Sequence, residues 1–175
     1  LLVLSLPATA LAEEARDTDE AAAAEEGTTL RILRQKQFLD FAENCRLDSY
    51  SRNLSVVLLT DIDLTGVDFS GIPIFCGNFD GNGHTVSGLS ITQDGSNMGL
   101  FRYVDASALI QNLTVSGEII PDGSSSAVGG IAGHNAGKIQ NCFFDGTVSG
   151  SDDVGGIAGI NAITGIIDGC HSKGV

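Results

Sequence analysis

The chain has 175 residues, enough for one domain with a modest core, and a formal net charge of −13 at pH 7. That balance argues against a nucleic-acid partner, because a polyanion is repelled and no Lys/Arg cluster is present to displace counterions from phosphate. Twenty-three glycines and no tryptophan suit a fold made of short strands and many tight corners.

Leu1 to Leu6 is an apolar run followed by Pro7, and Ala10-Leu11-Ala12 satisfies the small-x-small pattern of a signal-peptide cleavage site. Residues 1–12 therefore read as the C-terminal part of a secretory signal, with cleavage after Ala12. No later stretch is long and apolar enough to span a bilayer, so membrane insertion of the mature chain is not expected. Residues 13–27 (EEARDTDEAAAAEEG) carry seven acidic side chains among alanines and read as a solvated linker.

Residues 28–53 form a strand–helix unit. Thr29 to Leu33 predicts a short strand. Gln35 to Asn44 predicts a helix whose Phe38, Leu39, Phe41 and Ala42 share one face. Placed before a repetitive β region, such a helix covers an apolar end that is otherwise open.

The remainder, residues 54–175, alternates short β-branched runs with Asp-Gly, Asn-Gly and Ser-Gly corners. Val128-Gly-Gly-Ile-Ala-Gly-His-Asn135 is matched by Val154-Gly-Gly-Ile-Ala-Gly-Ile-Asn161. Gly137, Ile139, Cys142 and Gly146 are then matched by Gly165, Ile167, Cys170 and Gly174. A weaker copy runs from Gly99-Leu100-Phe101 to Ile110-Gln111-Asn112-Leu113-Thr114-Val115-Ser116-Gly117, so the repeats fall at about 99–117, 128–148 and 154–175. Val175 lies inside a repeat, which leads us to expect a longer protein.

A period near 26–30 residues of short strands and glycine corners predicts one coil of a right-handed parallel β-helix, coils stacking about 4.8 Å apart. The fold class expected is all-β, with a short N-terminal capping α-helix. Ile131, Ile139, Cys142, Phe144 and Val148 are placed inward, with Ile157, Ile167 and Cys170 continuing the same columns. Gly129-Gly130 and Gly155-Gly156 serve corners that need either positive φ or close backbone passage. Asn135 and Asn161 stack as a ladder at a turn; Asn112 and Asn141 could form a second one, broken at Gly169.

Gly-Gly-Ile-Ala-Gly-x-Asn, followed by Gly-x-Ile-x-Asn-Cys and Gly-x-Val, resembles the GLUG motif of bacterial surface proteins, also present in the accessory region of IgA1-specific metallopeptidases. Asp61-Ile62-Asp63-Leu64 and Phe79 to Leu89 are similar to the segment that precedes such repeats, so the resemblance covers roughly residues 55–175. It implies a solenoid architecture and carries over no catalytic or ligand-binding residues. Gly169, where Asn is usual, and the Ala162-Ile163-Thr164 insertion depart from the pattern.

Candidate chemistry is sparse. Cys142 and Cys170 share one slot in successive coils, where parallel side chains make poor disulfide geometry, and read as buried thiols. A Cys45–Cys76 disulfide tying the cap to the first coils stays open. No CxxC, Cys/His cluster or HExxH is present, and His84, His134 and His171 read as turn or surface residues. Asp61 with Asp63, Asp80 near Asn82, and Asp152-Asp153 could suggest Ca²⁺, but they follow neither calcium-loop pattern and read as turn formers. Asn53-Leu54-Ser55 and Asn112-Leu113-Thr114 match the N-glycosylation sequon.

No catalytic, cofactor-binding or metal residues are assigned, and no cofactor is implied. The reading is a non-catalytic, exported, cell-surface structural or adhesive solenoid that spaces or presents binding regions. Its partner would be a host or cell-surface protein or glycan. The alternative is the accessory β-helix of a secreted enzyme, of the IgA1-type metallopeptidase or polysaccharide-active kind, with catalysis elsewhere in the protein.

Overall fold

The computed structural model describes residues 28–174; the expected signal segment and acidic linker, with Val175, lie outside the described residues. The chain opens with β1 (Thr29–Ile32) and α1 (Gln35–Asn44). The first coil then follows as β2 (Ser55–Leu58), β3 (Ile62–Asp63) and β4 (Ile72–Phe75). A second coil contains β5 (Asn78–Asp80), β6 (Thr85–Ile91), β7 (Ser96–Met98) and β8 (Phe101–Val104). In the third are β9 (Leu109–Gln111), β10 (Thr114–Ile119), β11 (Ser126–Gly129) and β12 (Ala132–Asn135). The fourth comprises β13 (Lys138–Gln140), β14 (Phe143–Val148), β15 (Asp152–Gly155) and β16 (Ala158–Asn161), before β17 (Ile166–Asp168) and β18 (His171–Lys173) begin a fifth.

Apart from β1, which pairs with β2 across α1, strands do not pair with their chain neighbours. They pair with their counterparts one coil away, always in parallel, giving four faces. The first face runs β1-β2-β5-β9-β13-β17, the second β3-β6-β10-β14-β18, the third β7-β11-β15 and the fourth β4-β8-β12-β16. This is a parallel β-solenoid with a helical cap, as the repeat period predicts.

Register turns the repeats into columns. On the first face Val56, Phe79, Ile110, Ile139 and Ile167 lie one above another. On the second, Ile62, Val86, Val115 and Phe144 do the same. Ile131, Ile139, Cys142 and Phe144 are buried as expected. Val148, Ile157 and Cys170 are only partly covered, and Ile167 is 38% exposed, because each lies in or beside the last coils, where a neighbour is present on one side only.

Volume is traded between columns. Phe75, Phe79 and Phe101 form an aromatic cluster with ring centroids 5.3–6.1 Å apart in the early coils. Above Phe101 the column narrows to Ala132 and Ala158. The space is taken from the second face by Phe144, whose ring occupies the position a side chain on Gly130 would need. Such large–small alternation keeps the interior at the close packing that cores require.

Helix α1 closes the N-terminal end. Phe38, Phe41 and Ala42 are buried, while Leu39 is only partly covered against the core. The Phe41 ring lies 6.0 Å from both Phe75 and Phe79, so the cap enters the aromatic cluster instead of merely lying over it. The helix has no side-chain N-cap; the free Leu33 N–H donates to Gln37 Oε1 at 2.9 Å instead. Without a cap or an acidic first turn, a ten-residue helix depends on its packed face for stability. Phe41→Ala should therefore destabilise the whole fold by about 4 kcal/mol, read as a lower urea midpoint with an unchanged slope.

Candidate functional site

The repeated Val-Gly-Gly-Ile-Ala-Gly segment turns the chain from the third face to the fourth. None of Gly129, Gly130 and Gly133 has positive φ, so of the two reasons expected for these glycines only one applies. They are there for space. A Cβ would lie 2.1 Å from the Ala132 carbonyl oxygen at Gly129, 2.3 Å from the Phe144 ring at Gly130, and 2.2 Å from the Asn97 backbone at Gly133. Gly155 and Gly159 repeat the constraint one coil later against Ala158 and Ala127.

Left-handed backbone occurs elsewhere. Asn112, Asn141 and Gly169 occupy the step from the first face to the second, with φ of 53°, 52° and 59°. Asn and Gly are the residues that tolerate this conformation, so Gly169 continues the turn that Asn112 and Asn141 make. What it cannot continue is a side-chain ladder.

The expected Asn135–Asn161 ladder is present: the Asn135 amide donates to Asn161 Oδ1 at 2.8 Å, and Asn161 Nδ2 donates to the Gly165 carbonyl at 3.0 Å. Asn112 instead turns its amide to Asp80 Oδ1 at 3.1 Å. Asp80 belongs to a ladder that sequence reasoning missed. Gln111 donates to Asp80 Oδ2 at 3.0 Å, and Gln140 donates to Gln111 Oε1 at 2.8 Å, along the outside of the first face. The signal was available, since Gln111 and Gln140 each precede the Asn of their repeat, as Asp168 precedes Gly169.

The acidic residues act mainly on their own backbone. Asp61 accepts the Thr85 N–H at 2.9 Å and faces His84 Nδ1 at 3.1 Å. Asp63 accepts the Thr65 N–H, Asp80 the Asn82 N–H, and Asp105 both the N–H and hydroxyl of Ser107. Asp152 and Asp153 are exposed on β15. Among the described residues no three His, Cys, Asp or Glu side chains converge where a metal ion could be held.

The three histidines are kept apart. His84 pairs with Asp61, His171 is exposed on β18, and His134 lies flat on Tyr103 with ring centroids 4.9 Å apart and planes 13° from parallel. By register Ile74, Tyr103, His134 and Ile160 form one outer column of the fourth face. Because Tyr103 and His134 stack on each other, one face of each ring is already covered.

All four cysteines are thiols. Cys142 and Cys170 occupy the shared slot expected of them, with the Cys142 N–H donating to Cys170 Sγ at 3.4 Å. Burial pushes the Cys142 thiol up to about 12, which makes it an inert core group at neutral pH. Of the two sequon asparagines, Asn53 is exposed and Asn112 is partly covered with its amide engaged.

Residues 124–149 match the family model described as the GLUG motif. They are a GLUG motif. The coil that follows carries the same glycines and asparagine in register with it. Two curated proteins are similar to the chain. Halomucin from Haloquadratum walsbyi is 31% identical over 146 residues, which is 77% of this chain and 2% of halomucin. A protein named as a Gly-rich membrane protein from Evansella cellulosilytica is 34% identical over 96 residues, 48% of this chain and 11% of that protein. The chain thus spans a small part of either relative. No solved structure matches it.

Two outcomes follow from the geometry of the GLUG coils and their turns. Gly133→Ala should cost about 3 kcal/mol, because the added methyl meets backbone that cannot move without shifting a coil, and thermal unfolding should show it. The second concerns acid. Hydrogen bonds from Thr85, Thr65 and Ser107 hold Asp61, Asp63 and Asp105 below the ordinary aspartate value, with His84 assisting at Asp61. Their stabilising effect is complete above the unfolded-state value near 4 and is lost as pH falls through the lower folded values. Urea midpoints should be flat from pH 7 to 5 and fall below pH 4, less steeply in Asp105→Asn.

Proposed function

We propose that this chain is a non-catalytic part of an exported, surface-associated repeat protein, in which stacked GLUG coils set distance and present binding regions to a surface protein or glycan. The observation that carries the reading is coil-on-coil register. Each coil adds about 4.8 Å along the axis and repeats the inward columns of the one before, so coil number sets length. The names of its relatives, a mucin and a membrane protein, support a surface location. The outer faces support a role in contact with solvent and partners. From Leu54 onward twelve acidic side chains stand against three basic ones, and the turn aspartates spend their hydrogen bonds on local backbone.

A glycan array combined with a reducing-sugar assay on residues 28–175 tests the proposal. Binding to a subset of glycans, or to a surface protein in a parallel pull-down, with no release of reducing ends is the expected result. Turnover by this chain would overturn it. Binding only when a catalytic region of the same protein is present would move the chain to the accessory role in a secreted enzyme.

A further inference from the structure

The seam between the cap and the coils contains a feature the proposed function does not use. Among the described residues the buried core is apolar apart from Ser51, Ser125 and Asn135. Ser51 is fully buried in the connection between α1 and β2, with a thiol on each side of it. The side chains of Cys45, the C-cap residue of α1, and Cys76, which follows β4, both lie against that of Ser51. The Cys76 N–H also donates to Ser51 Oγ at 3.0 Å, and the Cys76 thiol points toward the Asp48 carbonyl at 3.6 Å. Cys45 is 0% exposed and Cys76 5%. The two thiols thus flank one buried side chain, and they belong to elements 31 positions apart in the chain.

The geometry points to Cys45 and Cys76 as a redox pair whose disulfide staples the helical cap to the first two coils, distinct from the Cys142–Cys170 pair, which stays reduced. The contrast is positional. Cys142 and Cys170 are stacked in one column with parallel side chains, whereas Cys45 and Cys76 approach from a helix end and a strand end around Ser51. Bond formation is thiol–disulfide exchange: one thiolate attacks an external disulfide, the second displaces the mixed disulfide, and the oxidant leaves as two thiols. Burial pushes the folded Cys45 thiol up to about 12 and raises Cys76 as well, so the exchange belongs to the stage before the cap docks.

The test uses the full chain, refolded from reductant into a glutathione/glutathione-disulfide buffer, quenched in acid, treated with N-ethylmaleimide and digested with trypsin without reduction. Cys45 falls in residues 37–46 and Cys76 in residues 53–102, while Cys142 and Cys170 share residues 139–173. The expected product is the cross-linked pair 37–46/53–102, with two maleimides on 139–173. Melting should drop by about 10 °C on reduction, as expected for releasing a loop of this length in a domain of this size. Cys76→Ser, with Cys45→Ala as the second variant if the first does not fold, should melt identically with and without reductant. Maleimide on all four cysteines, a bridge within 139–173, or identical melting of oxidised and reduced chains would each overturn the proposal.

Discussion

Every other feature of this molecule depends on parallel pairing of each strand with its equivalent one coil away. A β-sheet formed inside one coil could tolerate irregular spacing, because its partners would be chain neighbours. Here the partner of Ile110 is Ile139, and a slip of one residue within either strand would turn an inward column outward. The spacing is nevertheless not constant: Phe79 to Ile110 is 31 positions and Ile139 to Ile167 is 28. Corners absorb the difference. The four-residue turn Gly81-Asn82-Gly83-His84 stands where later coils use Asn-Leu or Asn-Cys, and the bulge at Gly88 shifts the register within β6 against β10.

That dependence explains which parts of the fold were legible in the sequence. Gln35 to Asn44 was legible because its apolar residues follow a local period, and local periods survive without knowledge of partners. The columns of the last coils were legible because two near-identical copies stand side by side. The precise reason for the glycines was not. Gly129, Gly130 and Gly133 meet the Ala132 carbonyl, the Phe144 ring and the Asn97 backbone, and two of those three neighbours come from other coils. The Asp80–Gln111–Gln140 ladder escaped for a similar reason: its members are unlike residues, aligned only once register is known.

The two ends of the described solenoid are physically unlike. At the first, α1 sends Phe38 and Phe41 into the core, and the residues of the first coil that point inward are almost fully covered. At the other, β15, β16, β17 and β18 are each paired on one side only, and Val154 and Ile167 are 45% and 38% exposed. An inner coil of a solenoid gains burial from a neighbour on each side, and a first coil has a neighbouring coil on one side only. The cap does for the first coil what a second neighbour does for the third, and for that reason the aromatic cluster sits there.

The Asn135–Asn161 ladder answers to the same constraint of register. The column Phe75, Val104, Asn135, Asn161 changes from apolar to polar where the GLUG coils begin. Those coils replace bulky inward residues with glycine and alanine, as at Ala132 and Ala158 in successive coils of the fourth face. Small side chains interlock weakly, so on this face packing fixes the register less firmly than the Ile and Phe columns do on the others. An amide that must donate to the amide directly above it cannot slide, because a one-residue slip leaves a buried polar group without its partner, at about 1–3 kcal/mol. Asn135 is fully buried and bonded to Asn161, which places this constraint where the apolar columns constrain least. The GLUG signature is in this view two solutions to one problem: glycines let the corner close, and the asparagine restores the register that their smallness gives up.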